Sequence, residues 1–197
     1  MRQNLTERLL FLRAFVTHPT RVGAILPTSR RAVRDMLDLG DVGAANLVVE
    51  LGAGTGVYTR EILARLSPGA KLMALEIDPQ LAKLLGEEFS DPRLQVICDS
   101  AENLHRHLSG ARADMVVSGL PFTSLESDLR RRILDQMVQA LAPGGVALVL
   151  QYSPFIVKEL RLRFGSVKRI ISPVNVPPAF LFACSADRTA AAPDASN

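Results

Sequence analysis

The chain has 197 residues and is 48% hydrophobic, enough for one domain with a continuous buried core and hardly for two. No apolar run approaches the roughly 20 residues that span a bilayer, and the first 19 residues carry scattered charges without a signal-peptide cleavage pattern, so the protein is expected to stay in the cytoplasm. Cys98 and Cys184 lie far apart with no Cys-x-x-Cys or Cys/His spacing, which argues against a disulfide framework or a zinc site and for two reduced, buried thiols.

The net charge of +3 is unevenly distributed. Residues 1–34 hold seven arginines (Arg2, Arg8, Arg13, Arg21, Arg30, Arg31, Arg34) against Glu7 alone, a local charge of +6 that leaves −3 for the remainder. A basic end on a mildly acidic body suits an anionic partner, a lipid surface or a nucleic acid, although a solvated helix face carries the same charge. Within that end Leu5, Leu9, Leu12 and Val16 recur at helical spacing, with Leu10, Phe11 and Phe15 widening the apolar face. Such an amphipathic helix either lies in a headgroup plane or packs on the domain core.

From residue 46 onward short apolar runs rich in Val, Ile and Leu alternate with helix-like stretches, the rhythm of a doubly wound parallel sheet. Strands are predicted at 46–51, 71–76, 94–98, 114–118, 146–151, 167–171 and 179–184. The spacing predicts a helix over 125–141, stopped by Ala142-Pro143-Gly144-Gly145. The short, proline-rich link 172–178 leaves no room for a helix, so the last strand is expected to return antiparallel as a hairpin partner at the sheet edge. The polar tail 187–197 is expected to be disordered.

The first strand runs into Glu50-Leu51-Gly52-Ala53-Gly54-Thr55-Gly56 and then a helical stretch. Glycines there permit positive φ and close approach of a ligand to the backbone. Glu76 follows Gly56 by twenty positions, at the end of the second strand, where a carboxylate can accept hydrogen bonds from both hydroxyls of a ribose. Asp78 and Pro79 read as an N-cap and a first helical residue. The third strand ends in Asp99-Ser100-Ala101, so three successive strand ends present polar groups on one edge, the ligand edge of an open parallel sheet.

These motifs resemble those of class I S-adenosylmethionine-dependent methyltransferases. The resemblance implies a Rossmann-like α/β fold with a seven-stranded, mostly parallel sheet, and S-adenosyl-L-methionine as cofactor with S-adenosyl-L-homocysteine as product. It implies cofactor contacts from Glu50, Gly52, Ala53, Gly54, Thr55, Gly56, Glu76, Ile77, Asp99, Ser100, Ala101 and Ser118. A nicotinamide dehydrogenase would need glycine where Val57 stands.

The fourth strand closes with Ser118-Gly119-Leu120-Pro121-Phe122. Adenine N6-methyltransferases of ribosomal RNA carry a similar Asn-Leu-Pro-aromatic signature, whose asparagine and backbone carbonyl hold the target amine. Here Gly119 stands in place of the asparagine, and no helical RNA-binding domain like that of those enzymes is expected after the last strand. A closer resemblance, over residues 9–184, is to the bacterial phospholipid N-methyltransferases that act on phosphatidylethanolamine. It is carried by Phe11-Leu12-Arg13, Pro19, the run from Arg21 to Arg30, the glycine turn, Ser118 to Phe122, Gln151-Tyr152 and Val176-Pro177-Pro178-Ala179-Phe180. Ala53 departs where proline is frequent, and Cys98 where glycine is usual.

That resemblance implies N-methylation of phosphatidylethanolamine toward phosphatidylcholine. It implies residues 1–35 as a membrane-docking lid, 36–186 as the catalytic core, and a monomer bound peripherally to the inner face of the cytoplasmic membrane, without a nucleic-acid partner. Gly119, Leu120 and Tyr152 would stand at the transferred methyl, with Arg21 and Arg30 on the lipid phosphate and Pro121 and Phe122 beside the substrate. No dedicated base and no metal cluster is evident. His18 reads as a loop residue, and His105 and His107 as solvent-facing helix positions. An RNA-directed adenine enzyme, or a cofactor-binding module docking on RNA or protein, is the alternative.

Overall fold

The computed structural model describes residues 29–172 and 178–186. The expected amino-terminal helix, Arg21, His18 and the tail lie outside them, as do Val176 and Pro177 of the run 176–180. In chain order the elements are α1 (Arg30–Leu37), β1 (Leu47–Leu51), α2 (Val57–Leu63), β2 (Lys71–Glu76), α3 (Pro79–Glu88), β3 (Leu94–Cys98) and α4 (Leu104–Leu108). They continue with β4 (Ala113–Ser118), α5 (Ser127–Ala140), β5 (Leu141–Gln151), α6 (Val157–Arg163), β6 (Ser166–Ser172) and β7 (Ala179–Ser185). Short 3-10 turns precede α4, α5 and α6.

One seven-stranded sheet runs in the order β3-β2-β1-β4-β5-β7-β6. The first five strands are mutually parallel, and β7 is antiparallel to both β5 and β6. The expectation of an antiparallel last strand holds, but its place does not: β7 lies inside the sheet and β6 forms the edge. Burial explains the order. Phe182, Leu181 and Cys184 on β7 are at most 1% exposed, which suits a strand covered on both faces. Lys168 and Arg169 on β6 are exposed, as charged residues at an edge protect it from pairing with another chain.

Alternation along each strand divides the core in two. Val49 joins Leu51, Leu104, Phe122, Leu134 and Phe182 on one face, while its neighbour Val48 joins Met36, Ile62, Leu72, Met115 and Leu181 on the other. Each such fully buried side chain contributes about 1.5–3 kcal/mol.

Local chemistry sets the helix starts. Asp78 accepts the N–H groups of Gln80 and Leu81 with Pro79 as first helical residue, as expected of a cap. Glu126 caps α5 by accepting from Asp128 and Leu129, which starts that helix two residues later than the periodicity predicts. Its end at Ala140 is followed directly by β5, whose pairing with β4 slips between Ala113 and Met115 to accommodate Ala142-Pro143-Gly144-Gly145 as an irregularity. The residues expected to break a helix thus lie within a strand. Cys184 is buried, its thiol pushed up to about 12 by burial. Cys98 corrects the expectation of two buried thiols, because it is exposed at the end of edge strand β3.

Candidate active site

The carboxyl ends of β1, β2, β3 and β4 meet on one edge. After β1 the chain turns through Gly52 (φ 76°) and Gly54 (φ 55°), in the left-handed region that L side chains avoid. A Cβ on Gly52 would stand 2.5 Å from Leu120 Cδ2, whereas one on Gly54 would meet nothing within 4 Å. Gly52 is therefore a packing requirement, and Gly54 leaves open space above its backbone. A cavity of about 400 Å³ opens there, lined by Gly54, Thr55, Leu81, Leu84 and Leu85 among others.

Two carboxylates lie beneath this turn. Glu76, 5% exposed, accepts the Gly54 N–H on Oε2 at 2.7 Å and the Asp78 N–H on Oε1 at 2.9 Å. Burial raises its pKa. A carboxylate offers about four lone-pair sites, so acceptor capacity remains on Glu76 for a ribose hydroxyl. Glu50, 1% exposed, accepts the Thr59 hydroxyl on Oε2 at 2.7 Å, while its Oε1 is buried with no partner among the described residues. Burial pushes the Glu50 carboxyl up to about 7. An orphaned buried oxygen asks for a donor, and two acids under a glycine cradle make a cation the fitting guest. S-adenosylmethionine, with its sulfonium, its ammonium and its ribose diol, meets these requirements.

At the end of β3, Asp99 accepts the Ser100 N–H at 2.7 Å and the Asn103 amide at 2.8 Å on Oδ1. His107 Nε2 lies 2.7 Å from Oδ2. Burial opposes ionisation of Asp99 most strongly, but Asn103, His107 and the Ser100 N–H together outweigh it and hold its carboxyl below the ordinary value. His107 is thus not the solvent-facing position expected. The tight turn Ala101–Asn103 leads into α4 and places His107 beside Asp99, and helical spacing carries no trace of it. His105 is exposed, as expected, against Gln136 Oε1.

The turn after β4 is locked from three sides. Pro121 (φ −79°, ψ 71°) makes an inverse γ-turn, in which the Phe122 N–H donates to the Leu120 carbonyl at 2.9 Å. The buried Gln151 amide donates to the same oxygen at 2.7 Å. A Cβ on Gly119 would stand 2.9 Å from Tyr58 Cε2 and 3.4 Å from its hydroxyl, so the room left by the missing asparagine is filled by Tyr58. Sequence reasoning missed both Tyr58 and Gln151 as parts of this turn, and neither contact has a local signal. Phe122 is fully buried in the core cluster. It anchors the turn from below and has no surface with which to line a substrate site. Ser118 is fully buried and accepts weakly from Leu120 N–H at 3.4 Å.

Tyr152 is half-buried directly after Gln151 and packs on the face that holds Tyr58 and Leu150. Arg30 is exposed at the start of α1. That helix is tied to the sheet by Arg34 to Glu61 at 2.9 Å and by the Ser172 hydroxyl to Asp35 at 3.1 Å. Ile77 and Ser100 are half-buried at the same edge, Ala53 and Ala101 are buried and Thr55 is exposed. No group of three or more His, Cys, Asp or Glu side chains is placed to hold a metal among the described residues.

Fold and site together define a class I S-adenosylmethionine-dependent methyltransferase. Residues 48–145 match the model of the family described as a methyltransferase domain. The chain is 34% identical over 185 residues to the ornithine lipid N-methyltransferase of Singulisphaera acidiphila, covering 91% of this chain and 96% of that one. It is also 29% identical over 157 residues to ribosomal RNA small subunit methyltransferase A of a Synechococcus strain, where it spans about half of the relative's length, 54%. Among solved structures, N-methyltransferase NodS of Bradyrhizobium japonicum in complex with S-adenosyl-L-homocysteine superposes with a TM-score of 0.70 at 17% identity, covering 89% of this chain and 96% of that one. The chain belongs to the family of S-adenosylmethionine-dependent methyltransferases that includes the Singulisphaera ornithine lipid enzyme.

Proposed function

We propose that this methyltransferase N-methylates the primary amine of a membrane lipid, with phosphatidylethanolamine as the first substrate to test and ornithine lipid as the second. The observation that carries the choice of amine is the contact of Gly119 with Tyr58. An adenine enzyme sets a polar side chain at that position to hold a planar amine, and here a buried tyrosine ring takes the space. The similarity to an ornithine lipid N-methyltransferase over nearly its whole length and the resemblance to the phosphatidylethanolamine enzymes both favour a lipid.

The cofactor supplies an electrophilic methyl on a sulfonium. The amine that receives it must present a neutral lone pair, so the substrate ammonium gives up one proton overall. The chain's own task is alignment and exclusion of water. Glu76 and Gly54 would hold the ribose, Glu50 would take the ammonium, and Asp99, fixed by Asn103 and His107, would take the adenine amine. Leu120 and Gly119 form the wall beside the methyl. Tyr152 orients the acceptor nitrogen and offers an aromatic face to methylated ammonium. Arg30, with Arg21, holds the anionic part of the headgroup.

No helix among the described residues is long and apolar enough to cross a membrane, so the lipid is met at its interface. Radiolabelled cofactor offered in parallel with phosphatidylethanolamine liposomes, ornithine lipid liposomes and unmodified ribosomal RNA decides the reading. Label is expected in a lipid amine. Label in RNA alone overturns the lipid assignment.

A further inference from the structure

The described residues leave four large apolar side chains well exposed: Leu84, Phe155, Leu162 and Ile171. Phe155 is 81% and Leu162 82% exposed. They lie seven residues apart across the turn Pro154–Ile156 and α6, a spacing that returns to one helical face. Ile156 and Leu160 between them are buried, so the exposed pair points away from the core. On β6, Val167 packs in the same cluster as Leu160 and Phe164, and the strand period of two puts Ile171 on that side of the sheet as well. Because β7 is antiparallel to both β5 and β6, β6 runs parallel to β5. Ile171 and Phe155 therefore both belong to the strand-end edge that carries Tyr152.

The charges around these side chains are of one sign. Lys158, Arg161, Lys168 and Arg169 are exposed, and the acids of this region are already committed, Glu159 to Arg130 and Asp135 to Arg163. A single exposed apolar residue is ordinary. Two side chains about four-fifths exposed on one face, flanked by exposed cations, match the composition of an interfacial helix, whose apolar residues enter the acyl boundary while Lys and Arg meet lipid phosphates.

We propose that the outer face of the Pro154–Ile156 turn and α6 docks on an anionic lipid bilayer, with Phe155 and Leu162 as apolar anchors and Lys158 and Arg161 as the cationic flank. This deepens the lipid reading above and rests on it. It places a second contact with the bilayer on the catalytic core itself, beside Tyr152, independent of the basic amino-terminal segment.

The chain contains no tryptophan, so Phe155→Trp in the full-length enzyme introduces a single reporter at an exposed position. With phosphatidylglycerol/phosphatidylcholine vesicles its emission is expected to shift to the blue and to be quenched by brominated acyl chains. The double variant Lys158→Glu/Arg161→Glu is expected to bind these vesicles about tenfold more weakly or worse, while methylating detergent-solubilised lipid amine at the wild-type rate. Unchanged emission in vesicles that carry the protein down on sedimentation means docking through another face and overturns the proposal, as does a failure to sediment at all. Should no lipid be methylated even in detergent, the functional reading falls instead, and the fluorophore still decides whether this face meets a bilayer.

Discussion

The buried amide of Gln151, at the end of β5, donates 2.7 Å to the carbonyl of Leu120, thirty-one residues earlier, at the turn after β4. That oxygen also accepts the Phe122 N–H at 2.9 Å, so the backbone group that would hold a target amine in adenine enzymes already carries two donors. Under the proposed function, Gln151 is therefore a positioning residue, because it fixes the Leu120 turn. Gln151→Leu is expected to cost about 1–2 kcal/mol of stability and to lower turnover about tenfold through misplacement. Cofactor affinity should change less, because Gln151 donates to Leu120 and not to the carboxylates beneath the glycine turn. Titration calorimetry on the folded variant, beside steady-state methyl transfer, checks the split.

Gly119→Asn restores the residue of the adenine signature in name only. Its Cβ would meet the ring of Tyr58 at 2.9 Å, and overpacking of this kind costs about 1–3 kcal/mol. The variant is expected to melt lower and to gain no RNA methylation, with Tyr58→Ala in the same chain recovering part of the lost stability. Urea unfolding of the single and double variants measures the coupling. Independent, additive losses would mean that the two residues do not compete for the same space.

Glu50 gives stability a pH dependence of definite sign. Its folded carboxyl lies at about 7 against an ordinary 4.5 because burial disfavours the charge. Folding therefore holds a proton that the unfolded chain releases. The favourable contribution is complete below about pH 4.5 and is lost as pH rises through 7, a swing of about 3 kcal/mol. Glu50→Gln should flatten this limb, raising the stability of the cofactor-free protein at pH 8, while weakening S-adenosylmethionine binding by removing the anion beneath the turn. Denaturant melts at pH 5 and pH 8, with and without cofactor, test both signs.

Glu76→Ala removes the acceptor of the Gly54 and Asp78 N–H groups together with the ribose acceptor. Cofactor affinity is expected to fall about a hundredfold, and amide exchange at Gly54 to accelerate, while the sheet stays folded. Unchanged affinity in a folded variant would put the ribose elsewhere. Tyr152→Phe, by contrast, is expected to lower turnover more than cofactor affinity if, as proposed, its hydroxyl orients the acceptor nitrogen. Comparison of kcat with the calorimetric Kd separates the two roles.

Much of the frame was legible in the chain because it is encoded locally. The alternation of strand and helix, the glycine turn after β1, Glu76 at the end of β2 and the Asp78-Pro79 cap each depend on residues within one element or its flanking turn. The resemblance that implies the class of cofactor is carried by these local features. Boundaries were read less well where a side chain competes with periodicity, as at Glu126, whose carboxylate delays α5, and at the Pro143 to Gly145 irregularity, which β5 absorbs instead of starting after it.

What only the tertiary structure decided are the pairings between residues distant in sequence. The position of β7 between β5 and β6 follows from the competition of two strands for a doubly covered place, which the more apolar one wins. The same packing leaves Cys98 in solvent at one sheet edge and sets Phe155 and Leu162 outward near the other. It brings His107 to Asp99, Tyr58 under Gly119 and Gln151 to Leu120. Each of these contacts forms because strand pairing and core packing leave one direction for a buried polar group or one volume for a ring, a condition that no window of sequence contains.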